Sequence, residues 1–433
     1  MPTGASVARL GVGIVWWPPL DPLCGAGEGL VDVIEAEPEA FWVPAPGGAG
    51  FCSHLPGALA HLPQPKLLHG VGSPLGGTCG PPPGHAATLA ADIAALRPAH
   101  VSDHLSVTRF RPGTGTEPVS AGFMLPPAQS AAGVALAAAN IRRHRLALGV
   151  PVAVETPVSY LPPAPGEWTD GAYVAAVAEA ADCGILLDLH NVMCNARNGR
   201  QGAADFCAAL PRERVWEVHL AGGEHEGRFY VDAHSGLVEP ELMEILAGWL
   251  PGLPNLRAII LEIMPERVAG VGLSAIAGQL AALRELWARC APNSAMAAPA
   301  LQAPDGVLPI DPAGWEALLG GAVTGLPHPA VPPRLAAWWA ESEPALELYR
   351  LLAGEGRASA IAAAAPRTTR LLLRTQGGPG TRRILAAFWR QTPPAYTAAD
   401  EARAFLRYIR AEHPALPGLG EAAGADADLL ALA

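Results

Sequence analysis

Gly184-Ile185-Leu186-Leu187-Asp188-Leu189-His190-Asn191 opens as a short apolar run and then turns polar, with a carboxylate, an imidazole and a carboxamide inside four residues. An uninterrupted apolar run of this length fits a parallel strand covered on both faces. A buried strand ending in ligand-type side chains is how a (β/α)-barrel presents chemistry at the C-terminal ends of its strands. Seven more strand-like runs precede residue 270: Leu10–Val15, Leu30–Ile34, Lys66–His69, His100–His104, Val152–Glu155, Val215–His219 and Ala258–Glu262. Between most of them lie Ala/Leu-rich stretches with helical spacing, such as Ala86–Leu96, Ala131–Leu148 and Tyr173–Ala181. Strands alternating with helices imply a parallel sheet, and eight such units in roughly 250 residues have the size of a TIM (β/α)8 barrel. No G-x-G-x-x-G follows the first strand, so a dinucleotide-binding open sheet gains nothing.

The α/β barrel is expected over residues 1–290. An Ala/Pro/Gly-rich stretch, residues 291–333, reads as a linker or loose bridge. Beyond it, Leu335–Ala353, Ile361–Leu373, Arg382–Trp389 and Ala398–Glu412 read as helices of a small second domain, residues 334–433. Charge is uneven. Residues 1–329 carry 17 Lys+Arg against 30 Asp+Glu, a formal −13, whereas eleven arginines between Arg350 and Arg410 face only Glu355, Asp400 and Glu401. The two parts therefore suit different partners. Seven scattered cysteines without a Cys-x-x-Cys pair fit reduced thiols of a cytoplasmic protein. Met1-Pro2-Thr3-Gly4 opens no secretory signal, and no run of about 18 apolar residues suggests a membrane span.

The strand ends collect an unusual set. His69, His104, Glu155, Asp188 with Asn191, His219 and Glu262 close six consecutive strands, and Asp232-Ala233-His234 follows in the loop after the seventh. Imidazoles and carboxylates are ligands for first-row metals that keep open positions. Taken singly, each has a plainer role: a hydrogen-bonded structural histidine, Asp188 as a helix cap, Glu262 paired with Arg267. Together, Glu155, Asp188, Asp232 and Glu262 on one rim cannot all stay ionised without cations, and no Lys or Arg stands beside them in sequence to compensate. Two or three divalent ions would do so. Glu155 and Asp188 are the candidate catalytic carboxylates. His190, facing the other way along the chain, is a candidate catalytic or supporting imidazole.

These segments resemble the DUF692 family of multinuclear non-haem iron-dependent oxidases, which includes the methanobactin-biosynthesis-type enzyme. The likeness rests on Leu68–Gly72, Ser102-Asp103-His104-Leu105, Glu155-Thr156-Pro157, Leu187–Asn191, Val218–Gly222, Asp232-Ala233-His234 and Leu261-Glu262, across about residues 8–285. It implies oxidation, with O2 as co-substrate, of a residue (most often cysteine) in a ribosomally made precursor peptide. Carried over, His69, His104 and Glu155 would hold one iron; Glu155, Asp188, His219 and Glu262 a second; Asn191, Asp232 and His234 a third, weaker one. The C-terminal region, through Ala404-Phe405-Leu406-Arg407-Tyr408-Ile409 and His413–Pro417, resembles more faintly the partner protein that presents the leader of the peptide in this family. The ligand set also resembles the trinuclear zinc site of endonuclease IV-type barrels, which favours a DNA phosphodiesterase. Asn191 stands where that family has a histidine, and the acidic barrel disfavours nucleic acid. The same barrel could also serve a sugar isomerase or epimerase, or a non-catalytic peptide-binding module.

Overall fold

The computed structural model describes residues 9–25, 29–45, 50–113, 117–289 and 306–432. Cys290, Met1-Pro2-Thr3-Gly4 and the first part of the expected linker, residues 291–305, lie outside the described residues. In chain order the strands are β1 (Gly11–Val15), β2 (Val33–Ala36), β3 (Trp42–Pro44), β4 (Phe51–Ser53), β5 (Lys66–Gly70), β6 (Val101–His104) and β7 (Val107–Phe110). They continue with β8 (Val119–Leu125), β9 (Val152–Glu155), β10 (Gly184–Asp188), β11 (Val215–Leu220), β12 (Gly222–Glu226), β13 (Phe229–Gly236) and β14 (Ala258–Leu261). Eight of them close a parallel barrel in the order β1-β14-β11-β10-β9-β6-β5-β2. The remaining six form three antiparallel hairpins, β3–β4, β7–β8 and β12–β13, in the loops that follow barrel strands. The chain is thus a TIM barrel with a helical C-terminal region.

Local chemistry explains the helices. Ala131–Leu148 starts at Ser130, whose Oγ accepts from the Gly133 N–H at 3.1 Å, and ends at Gly149 with φ 70°. Its buried Val134, Ala137, Ala138 and Ile141 recur at helical spacing and join the main core between barrel and helices. Lys66, the sole lysine, opens β5, its ammonium donating to the Leu62 carbonyl at 2.8 Å and to that of Gln64.

Three expectations need correction. The second strand is Val33–Ala36, not Leu30–Ile34; Val15 pairs with Glu35, so the strand continues through a buried charge. The fourth begins at Val101, which leaves His100 buried at its foot. Inside the stretch read as a linker, Pro312–Thr324 is an α-helix capped by Asp311, whose Oδ1 accepts from Gly314 N–H at 2.7 Å. It buries Trp315, Leu318 and Leu319, and Trp315 Nε1 donates to the Pro126 carbonyl at 2.9 Å. Packing on the barrel overrides its weak composition.

Beyond it, Glu343–Ala364 and Pro366–Gln391 are long helices, the second broken at Gly377 (φ 64°), followed by Ala398–Glu412 and Leu419–Leu432. One apolar cluster joins Trp315, Trp338, Leu346 and Tyr349 to Val107, Phe110, Leu125 and Tyr160 of the barrel loops. The C-terminal region is therefore docked on the barrel. The segment Thr392–Ala395 is held from two sides: Arg357 Nη2 donates to the Thr392 carbonyl at 2.8 Å, and Glu401 accepts from Ala395 N–H at 2.8 Å. Arg357 and Glu401 pair with each other at 2.6 Å, both buried. The neighbouring Tyr396 lies so close to Gly72 that a Cβ there would stand 2.2 Å from its hydroxyl, so only glycine fits. Among the described residues no helix is long and apolar enough to cross a membrane.

Candidate metal centre

Side chains alternate across a strand, so every second residue of a barrel strand points inward. The inward set is apolar low in the barrel, where Val15, Val33, Leu67, Ala258 and Ile260 form a cluster. Two residues further along the same strands the same parity brings Glu35, His69 and Glu262. By the same alternation Ser102 and His104, Glu155, Asp188, and Glu217 with His219 face the axis from the other strands. All except His104 are buried.

Ligand atoms of His69, His104 and Glu155 lie within 4.8 Å of one another, as do those of Glu155, Asp188 and His219, of Asp188, His234 and Glu262, and of Glu35, Glu217 and His219. Glu155 Oε2 stands 3.0 Å from His69 Nε2 and 2.9 Å from His104 Nε2. Asp232 Oδ1 is 2.9 Å from His234 Nε2, and Glu35 Oε2 is 2.7 Å from His219 Nε2. None of these pairs is aligned as a hydrogen bond: Glu155 Oε2, Asp232 Oδ1, His234 Nε2, Glu35 Oε2 and His219 Nε2 are all buried without a hydrogen-bond partner. Two ligands about 2.1 Å from one ion and at right angles stand about 3.0 Å apart. Contact distance without alignment is what shared ligation produces. The unpartnered Asp188 Oδ2 adds to the set, and the residues fit several cations.

The far nitrogens are already engaged. His69 Nδ1 meets Ser102 Oγ at 2.9 Å, and His104 Nδ1 meets the Gly70 carbonyl at 3.1 Å, leaving both Nε2 atoms on the Glu155 side. Such outer contacts orient metal-ligating imidazoles. His219 has a carboxylate on each side, Glu35 at Nε2 and Glu262 Oε2 at Nδ1, 3.2 Å away. Asp188 caps the Leu189–Arg197 helix as well, Oδ1 accepting from Asn191 N–H at 2.8 Å.

The electrostatics show the same crowding. Burial pushes the Asp188 carboxyl up to about 8, with Glu155 and Asp232 adding repulsion. Glu35 rises to about 8 through burial and the nearby Glu217. Burial opposes the charge of Glu155 too, but His104 and His69 hold it well below the usual carboxylate range. Glu262 is held at about 2 by His234 and His219 against its burial. His104 is raised to about 10, its burial outweighed by Glu155. In the metal-free chain protons thus stand in for cations.

The expected third group is rearranged. His234 Nδ1 lies 3.2 Å from Glu262 Oε1, so His234 links Asp232 on one side to Glu262 and Asp188 on the other. Asn191 Nδ2 donates to Glu155 Oε1 at 2.9 Å and to the Thr156 carbonyl at 3.2 Å, while its Oδ1 is buried and unpartnered. His190 is buried, its Nε2 3.5 Å from both Asp232 Oδ1 and Cys194 Sγ. Arg267 pairs with Glu224 at 2.7 Å rather than with Glu262.

Sequence reading misses Glu35, whose signal is a lone carboxylate inside Val33-Ile34-Glu35-Ala36. It also misses Glu37, half-buried beside Glu262, His234 and His104 and pushed up to about 8 by burial and Glu262. Beneath the centre, Glu217 accepts from His100 Nε2 at 2.8 Å, and Arg257 Nη1 approaches His100 Nδ1 at 3.3 Å. That string places one compensating cation at the barrel floor.

The family described as RiPP precursor modification enzyme MbnB/TglH/ChrH matches residues 17–264 of the chain. Among curated relatives, a UPF0276 protein of Streptomyces avermitilis is 30% identical over 247 residues, 56% of this chain and 48% of that protein. The chain thus spans about half the length of that relative. UPF0276 proteins of Chromobacterium violaceum (30% identical, 52% of this chain and 81% of that protein) and of Anaeromyxobacter (33%, 51% and 75%) are also similar. Among solved structures, the 3-keto-D-glucoside 4-epimerase YcjR of E. coli aligns at 14% identity and a TM-score of 0.37, covering 64% of this chain and 100% of that one. A D-psicose 3-epimerase aligns at 13% identity and a TM-score of 0.37, covering 64% and 96%.

Proposed function

This chain belongs to the MbnB/TglH/ChrH family of RiPP precursor modification enzymes, and on that footing we propose that it is an iron- and O2-dependent oxidase of a precursor-peptide residue, most simply a cysteine. The observation that carries the reading is the His69–His104–Glu155 triplet. Two imidazoles and one carboxylate with an open side are the facial set of non-haem iron(II) oxygenases. Among the described residues no thiolate joins it, Cys194 lying against His190 instead. Glu155 and Asp188, each shared between two groups of ligand atoms, would be the carboxylates to hold more than one ion.

Bound iron would supply the one-electron and dioxygen chemistry. The chain supplies geometry and enclosure. Ser102 and the Gly70 carbonyl fix the imidazole orientations, and Asn191 holds Glu155. The ligands that keep some exposure are His104, His234 and Asp232, with side chains 13%, 14% and 20% accessible, so the peptide enters on that side. His190, buried behind Asp232 with Nδ1 unpartnered, is the imidazole placed to hold a proton there.

In this reading the C-terminal region binds the leader of the peptide. Arg367, Arg370 and Arg374 line, with Leu371 and Glu421, a groove of about 640 Å³ on the Pro366–Gln391 helix. Three guanidiniums in one groove suit an acidic segment. The six described cysteines are free thiols, which fits a cytoplasmic enzyme. The test is to incubate the iron-loaded chain with the peptide encoded beside its gene, with and without O2. An oxygen-dependent mass change in the peptide supports the reading; an unchanged mass, or activity with zinc alone, ends it.

A further inference from the structure

Asp232 and His234 sit on β13, which among the described residues pairs only with β12. A two-stranded ribbon is marginal by itself, so its ligands need ties to the rest of the fold. His234 adds a cost, since its φ of 43° is left-handed and an L-residue holds it only where neighbours enforce it. Most ties come from the barrel: Met264 N–H donates to the His234 carbonyl at 3.1 Å, and Asn198 Nδ2 to the Tyr230 carbonyl at 2.7 Å. One continues beyond the barrel. Asp232 N–H donates to the Tyr160 hydroxyl at 3.2 Å, and Tyr160 N–H donates in turn to the hydroxyl of Tyr349 at 3.2 Å. The two rings meet edge to face at 5.3 Å, and Tyr160 also packs edge-on against Phe229 of β13 at 6.2 Å. Tyr160 and Tyr349 are 3% and 1% exposed. Tyr349 belongs to the Glu343–Ala364 helix, outside the barrel.

We propose that Tyr160 and Tyr349 are positioning residues for Asp232, so that docking of the C-terminal helices sets how tightly the outermost ion is held. The proposal rests on the metal-centre reading above. Asp232 and His234 are the ligands least enclosed by the barrel, and metal sites tolerate only a few tenths of an ångström in ligand placement. A tie running from a C-terminal helix through two phenols to the Asp232 backbone makes that helical region part of the centre. Binding there can then be felt at the ion without any residue of the region touching it.

Tyr160→Phe and Tyr349→Phe remove only the hydroxyls and keep the ring packing. Both would be loaded as full chains with iron(II), counted by elemental analysis, and challenged with a graded chelator. Hydrogen exchange over residues 229–236 would be followed separately in metal-free protein. The expected result is a 10- to 100-fold weaker outermost ion with the inner ions retained, the range seen when outer contacts of metal ligands are removed. Exchange at the Asp232 amide should accelerate in both variants, more in Tyr160→Phe. Trp315→Phe, which loses the hydrogen bond to the Pro126 carbonyl at the same docking face and leaves both phenol hydroxyls in place, should leave ions and exchange unchanged.

Wild-type ion affinity and exchange in both phenylalanine variants would overturn the proposal. So would equal loss of all ions, or the same loss in Trp315→Phe, since each indicates general loosening. Should the wild-type chain bind no metal, the oxidase reading falls by itself, and unchanged amide exchange would then dispose of the tie independently.

Discussion

Replacing Asn191 with alanine separates two roles that the carboxamide could have. Its Nδ2 faces Glu155 Oε1 at 2.9 Å and the Thr156 carbonyl at 3.2 Å, two acceptors, which fixes the amide's orientation. The residue is 2% exposed, so water does not replace what alanine removes. A hydrogen bond to a charged group is worth about 1.5–3 kcal/mol and a neutral one about 1 kcal/mol. The metal-free chain should therefore lose about 2.5–4 kcal/mol, read from urea unfolding followed by circular dichroism. Asn191→Asp should be worse: a second carboxylate about 3 Å from Glu155 is repelled by roughly 6 kcal/mol at an effective dielectric of 20. Added metal should restore more of the loss in the aspartate variant than in the alanine one. If Asn191 served only as a ligand through Oδ1, alanine would leave metal-free stability within about 0.5 kcal/mol. A loss that small, or an aspartate variant more stable than alanine without metal, would refute the reasoning.

Glu35→Gln should weaken the ion beside His219 by at least about 10-fold in a chelator competition, because Glu35 Oε2, 2.7 Å from Nε2 and not hydrogen-bonded to it, is placed to share that ion. Arg357→Ala should cost about 3–5 kcal/mol by leaving Glu401 charged and buried, and limited proteolysis should then cut near Thr392. Glu316 gives a pH signature. Its carboxyl accepts from Thr78 N–H at 2.7 Å, and burial raises it from an ordinary 4.5 to about 7. The folded chain thus binds this proton more tightly than the unfolded chain. The associated destabilisation is absent below about pH 4.5, grows as pH rises to about 7, and is complete above, worth roughly 3 kcal/mol. Glu316→Gln should flatten this part of the stability profile between about pH 5 and 8, and a wild-type slope in the variant would contradict it.

The barrel is legible because its strands are buried on both faces and say so residue by residue, as in Gly184–Asp188 and Ala258–Leu261. The rim is legible because His69, His104, Glu155 and Asp188 each interrupt such a run at its end. Glu35 escapes for the converse reason. The apolar run Leu30–Ile34 draws its strand three residues early, and one step of register flips every side chain to the other face. The hairpins β7–β8 and β12–β13 are invisible, since Gly122 and Gly223 weaken the alternation that marks a strand. The Pro312–Thr324 helix carries Gly314, Gly320 and Gly321, poor helix formers, and exists because Trp315 and Leu319 find a barrel surface. Tertiary packing decides that element. The Tyr349–Tyr160–Asp232 chain joins residues 189 and 72 positions apart and leaves no local trace at all.

Lys66 lies at the opposite end of β5 from the rim, about 10 Å of strand below His69. Burial pulls its ammonium below the ordinary 10.5, and it is the only side-chain amine in the sequence. With the α-amine blocked, amine-selective coupling of a dye or a tether can therefore report from, or anchor, one known point beneath the barrel. Held through Lys66, the chain would stand on a surface with the rim that carries His69, Glu155 and Asp188 turned outward.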